Sequence, residues 1–336
     1  MNDGKRTDYS ISLIRFIATA SIIACHMFQF YKHELMWWLN VGVQIFFCMS
    51  GFLYGRKGVI EDNFKFYKKT FTKVLVDYYI VAIPMFIILT VLFVDKFSIV
   101  SMIQVLFTKA VMEGGEHLWY VSYCLFCYLC TPLLSRFFDR YKDRRIVISF
   151  VVLCWIVVAL VDLFFYYFIG AWLFCYILGF FLGVISSKGK TKLYNTVCLV
   201  IIAFAIISNT VQIILDYIVK LELNDANGIY YAKMCNYAHV ALGTSLFLLL
   251  KKLFTAIFKK GYPKPIQKFC ALSDRYSYDI YLVHQFFILG PLSLMALTNI
   301  PALNIIIILA VIILLAVIVN LLSNLIRKPL KKLINT

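Results

Sequence analysis

The sequence predicts an all-α polytopic membrane protein of about ten transmembrane helices with both termini cytoplasmic. Three observations carry that prediction. The chain of 336 residues is 62% hydrophobic, with a mean hydropathy of +0.84. Its apolar runs are continuous and ~20 residues long, the length that crosses a hydrocarbon core as a helix. Its basic residues are segregated by side, as orientation in a membrane requires. Only 15% of residues are charged, against about 25% in soluble domains. Unbroken rather than alternating hydrophobicity argues against a β-barrel.

The spans follow in order. The first, 10–31, holds Arg15 and His26 within one apolar stretch, and its length, its Arg15 and its lack of a polar cleavage region argue against a removed signal peptide. The second, 37–55, contains Phe46-Phe47-Cys48-Met49-Ser50-Gly51-Phe52-Leu53, and a basic segment with Lys65, Lys68, Lys69 and Lys73 leads to the third, 74–94. The fourth, 118–135, begins just after Glu116-His117 and carries Cys124, Cys127 and Cys130. The fifth, 146–166, is followed by the sixth, 171–186, where Gly179 and Gly183 form a G-x-x-x-G stripe. That spacing lets two helices approach closely, within the chain or across a dimer seam. The seventh, eighth and tenth are 194–215, 231–250 with His239, and 302–325. The ninth, 276–294, contains Ser277, Tyr281 and His284. One membrane domain spanning 1–336 is expected, with no attached soluble domain.

Orientation follows from charge. With the N-terminus inside, 27 of the 33 Lys and Arg fall on the inner side and five on the outer, Arg15 lying in the first span. This asymmetry accounts for most of the net charge of +16, so no nucleic-acid partner is expected. The partner is the bilayer of a bacterial inner or plasma membrane.

Ionisable groups inside a span are costly and mark functional sites. Eleven helical steps return His26 to within ~20° of Arg15, ~16 Å along the axis. A neutral imidazole suits general-base work on a hydroxyl near neutral pH. A permanently charged guanidinium suits phosphate or carboxylate, though Arg15 is also placed to snorkel to the inner surface. Counting from the span ends puts His26, His117 and His239 at similar depth in the outer half, with His284 ~12 Å from the inner end of its span. His33 reads as solvated. Glu116 could orient a neighbouring imidazole or an acceptor, or simply be solvated. The C-x-x-C-x-x-C reads as small apolar residues on a helix, with no fourth ligand, so no metal is expected. Asp77, Asp162 and Asp279 lie in or at the ends of spans, without the pattern of a proton pump.

Several of these segments together resemble a known family. Arg15 through His26 is similar to the R-x10-H signature of the acyltransferase-3 family of membrane acyltransferases. Phe46–Leu53 resembles its F-F-x-x-S-G-F-L segment. His117-Leu118-Trp119-Tyr120-Val121 and Ser277 through His284 resemble its H-x-W and S-x-x-I-Y-L-x-H segments. The matches run in family order along nearly the whole chain. In one place this chain departs, because Lys68, Lys69 and Lys73 stand where the family has arginines, and Asp77 where it has a proline. Lysine keeps the charge but loses bidentate geometry.

The resemblance implies transfer of an acetyl or other short acyl group from cytoplasmic acetyl-CoA to a hydroxyl of a cell-envelope polysaccharide or glycolipid. In that reading His26 and Arg15 are catalytic. Arg15, Lys68, Lys69 and Lys73 face the donor, and His117, Glu116, Trp119, Ser50, His284 and Tyr281 support the acceptor side. The chain then acts alone or with a separate envelope-biosynthesis partner. The competing readings are a transporter or flippase of a lipid-linked glycan, for which inverted repeats or a mid-membrane carboxylate site are expected, and a scaffold without catalysis.

Overall fold

The computed structural model describes residues 8–93, 98–165, 170–221 and 225–335. Lys5, Arg6 and Lys96 of the charge argument lie outside the described residues, as do Val94 and Tyr166 at the ends of two predicted spans. Side chains are described to Leu330.

The fold is all-α, with no strand among the described residues. Its helices are α1 (Tyr9–Phe30), α2 (Leu35–Leu39), α3 (Val41–Gly55), α4 (Asn63–Phe93), α5 (Ile99–Leu106), α6 (Trp119–Arg140), α7 (Arg144–Phe164), α8 (Gly170–Ser187), α9 (Thr191–Ile213), α10 (Asp225–Ile257), α11 (Lys264–Val283) and α12 (Pro301–Asn335). Among the described residues, nine helical segments are long and apolar enough to cross a membrane.

Two elements differ from the sequence-based expectation. The basic segment expected as a loop after the second span is the start of α4, because Asp62 caps it by accepting from the Lys65 amide at 2.9 Å. Lys68, Lys69 and Lys73 therefore sit on a helix. The expected ninth span, 276–294, is instead an amphipathic helix that begins at Lys264 and ends at Val283, with turns beyond it. Its mixed composition hides it from a hydropathy reading.

Contacts divide the chain into two compact units. Unit one comprises 1–14, 41–61 and 130–262; unit two comprises 15–40, 62–129 and 263–336.

In unit one, α8 is buried on nearly every face and packs most closely on α3. The reason is reciprocal glycine. A methyl group on Gly51 or Gly55 would lie 2.1 Å from the carbonyl oxygens of Tyr176 or Phe180. One on Gly179 or Gly183 would lie 2.2 Å from those of Cys48 or Phe52. The G-x-x-x-G stripe of α8 is therefore filled by α3 of the same chain. Gly179→Ala should force the helices apart and cost ~1–3 kcal/mol, with Gly179→Leu worse. A lower melting temperature of the purified protein checks this; an unchanged melt of Gly179→Leu refutes it. Ser50 lies half-buried on α3 and His239 buried on α10, both in this unit.

In unit two, α4, α11 and α12 pack together around polar groups that burial obliges to pair. Asp77 forms an ion pair with Arg327, which also donates to the Lys73 carbonyl at 2.7 Å. Asp279 accepts from Asn320 Nδ2 at 3.0 Å, and Arg275 Nε donates to Asn320 Oδ1 at 2.9 Å. Tyr278 donates to the Val74 carbonyl at 3.2 Å.

Candidate functional site

The candidate site lies within unit two, where α1 and α11 run side by side in the same direction. Residues at matching heights show this. Arg15 forms an ion pair with Asp274, Phe16 meets Phe269 edge-on at 4.8 Å, and His26 and His284 have ring centroids 5.1 Å apart. Arg15 and His26 keep their ~16 Å helical separation, with Asp274 of α11 beside one and His284, just past the end of α11, beside the other.

At the imidazole end three histidines converge. His284 stands 4.8 Å from His117 between ring centroids, at 71°, and 5.1 Å from His26. Fixed partners define their tautomers. His284 Nδ1 lies 2.6 Å from the Tyr281 carbonyl, and His117 Nε2 lies 3.1 Å from the Leu282 carbonyl. A carbonyl oxygen only accepts, so each of those nitrogens carries the proton. The lone pairs are then on His284 Nε2 and His117 Nδ1, both buried. His26 is only half-buried, and its Nδ1 lies 2.8 Å from Gln29 Oε1. Donation to that oxygen leaves Nε2 of His26 as the basic nitrogen. Among the described residues, no group of His, Cys, Asp or Glu could hold a metal ion.

Two loops hold this cluster. Gly114 and Gly290 both adopt left-handed φ, +75° and +76°, and a methyl group on Gly290 would lie 2.7 Å from the Gly114 Cα. Only glycine permits both the conformation and the approach. Glu116 closes the joint, accepting from Gln285 Nε2 at 2.6 Å and from the Gly114 amide at 3.0 Å. The Tyr281 hydroxyl donates to the His117 carbonyl, and its ring lies 4.9 Å from Tyr120. Trp119, half-buried, meets Tyr123 edge-on at 5.6 Å.

At the cationic end, Arg15 and Asp274 are partly exposed, at 23% and 31% of their side chains. The guanidinium that the sequence left free to snorkel is thus paired. Lys73 lies within electrostatic reach of Arg15, Arg327, Asp77 and Asp279. Lys69 and Lys73 are exposed one turn apart on α4, and Lys68 is half-buried.

The structure thus gathers His26, His117, His284, Tyr281 and Glu116 at one end, with Arg15 and Lys73 at the other. The largest correction concerns His284. It was expected ~12 Å from the inner end of its span, whereas α11 starts twelve residues earlier, so twenty residues, or ~30 Å, separate Lys264 from it. This brings His284 beside His26 and His117. His239, grouped by depth with His26 and His117, lies on α10 in unit one. Gln29, Asp274 and Gln285 were missed. Only Gln29, one turn beyond His26, carried a local signal.

Among protein families, residues 8–321 match the one described as an acyltransferase domain. No match was found among curated proteins or among solved structures.

Proposed function

The chain belongs to the acyltransferase-3 family of membrane acyltransferases, and from that premise we propose that it moves a short acyl group, acetyl in the first instance, from cytoplasmic acyl-CoA to a hydroxyl of a cell-envelope polysaccharide or glycolipid. The observation that carries this reading is the half-buried His26, held through one nitrogen by Gln29 and backed by two tautomer-fixed histidines.

His26 Nε2 takes the proton of the acceptor hydroxyl. The oxygen attacks the thioester carbonyl carbon, the C–S bond breaks, and the departing thiolate takes the proton back from the imidazolium. The products are an O-acyl ester and free CoA thiol. His284 stands beside the ring that becomes positive, and His117 beside His284, so the polar groups around the base are held in place before the reaction begins. Arg15 and Lys73 supply positive charge for the anionic end of the donor. The 27-to-five charge asymmetry supports a cytoplasmic side for that end, in a bacterial inner or plasma membrane.

Envelope glycans from a deletion strain test the proposal. Base-labile O-acyl groups should vanish and return with the wild-type chain, and the purified protein should release CoA thiol when given acetyl-CoA and the unacylated glycan. Unchanged O-acylation in the deletion strain, with no thiol release, would favour the transporter reading.

A further inference from the structure

Unit one carries a second feature, which the transfer reaction does not use. Where α7, α8 and α9 meet at their basic end there is a groove of about 890 Å³. Its walls are apolar, with Ile148 and Val152 on α7, Phe181 on α8 and Val200 on α9. Ile148, Val152 and Val200 are exposed, so the groove opens outward to the surroundings of the helix bundle. Its rim is cationic, with Arg144 at the start of α7 and Lys190 and Lys192 at the start of α9. A small adjoining cavity shares Arg144, Lys190 and Leu193 and adds Lys142 and Lys188.

Five cations therefore crowd one edge of an apolar slot. Two carboxylates stand near them. Asp143 is engaged as the cap of α7, accepting from the Arg145 amide at 2.6 Å, and Asp139 acts on Lys188. Lys188 and Lys190 donate to the carbonyls of Phe138 and Lys142 at 2.8 and 3.3 Å, which fixes their position. An ammonium has three donors, so both retain some for a ligand.

We propose that this groove binds one anionic phospholipid of the surrounding leaflet, with its headgroup phosphate at Arg144, Lys190 and Lys192 and an acyl chain along the apolar wall. The two halves of the slot match the two halves of that molecule. A free anion gains nothing from Ile148, Phe181 and Val200, and a zwitterionic lipid gains little net attraction from five cations. Basic pockets between helices at the inner surface suit anionic headgroups for this reason. The chain lies between α7 and α9, each of which packs on α8, so the lipid steadies the outer helices of unit one.

The test uses the purified full-length protein in detergent, with phosphatidylglycerol, phosphatidylcholine and inorganic phosphate as probes. Native mass spectrometry should show one retained phosphatidylglycerol per chain, and that lipid alone should raise the melting temperature. Arg144→Gln/Lys190→Gln/Lys192→Gln should bind it roughly 100-fold more weakly. Val200→Trp, which keeps every cation and obstructs the apolar wall where the acyl chain would lie, should also weaken retention, and it provides the test if the triple variant does not fold. Equal retention of phosphatidylcholine, undiminished binding by either folded variant, or displacement of the lipid by inorganic phosphate would overturn the proposal.

Discussion

Replacing His26 by alanine is expected to lower acyl transfer by ~10²–10⁴-fold, the range by which a positioned general base accelerates reaction, while the protein accumulates and melts as wild type does. The structural cost is small because His26 is only half-buried and its hydrogen bond runs to exposed Gln29 on the same helix. His284 and His117 cannot replace it. Both are buried, so their basic nitrogens are closed to an acceptor hydroxyl, whereas His26 is half-exposed. The readout is CoA thiol release by purified protein, with melting measured on the same sample. Full activity in His26→Ala would remove the base from the proposed mechanism. A collapse of melting together with activity would mean that the residue is structural.

Arg327→Leu should have the largest effect on stability. Asp77 and Arg327 pair between α4 and α12 with side chains only 6% and 15% exposed. Removing one partner of such a buried pair strands the other charge, at a cost of ~3–5 kcal/mol. The double variant Asp77→Leu/Arg327→Leu should recover much of the loss, since a buried ion pair exchanged for apolar groups of similar size is often neutral. Melting of the wild type and the two variants checks both statements. A single variant as stable as wild type, or a double variant worse than the single one, would show that the pair does not hold α4 to α12.

Hydropathy exposes most of this fold because a membrane helix must be apolar along its length, and α1, α7 and α8 fall within a few residues of the expected spans. It fails where a helix is not uniformly apolar. The start of α4 carries lysines, and its signal was Asp62, a capping residue rather than a hydrophobic one. The start of α11 was written in Pro263 and Pro265, a helix-opening signal, in a segment too polar to read as a span. Missing that start shortened the distance of His284 from the beginning of its helix by ~18 Å and separated it from the two histidines it joins. Arg15 and His26 were legible from one helix because eleven residues return to the same face. Asp274 was not, since an ion pair across 259 residues leaves no local trace.

The parallel run of α1 and α11 also bears on what the donor must look like. Neither helix can shorten, so the rise between the backbone positions of Arg15 and His26 is held at ~16 Å by helix geometry. On the proposed reading the protein is a ruler whose two marks are anchored on one rod. A donor much too short to bring its charged end and its reactive carbon to those two levels together reaches one mark or the other. Selectivity among thioesters then starts with the length of the arm that carries the acyl group, before any contact with the acyl group itself.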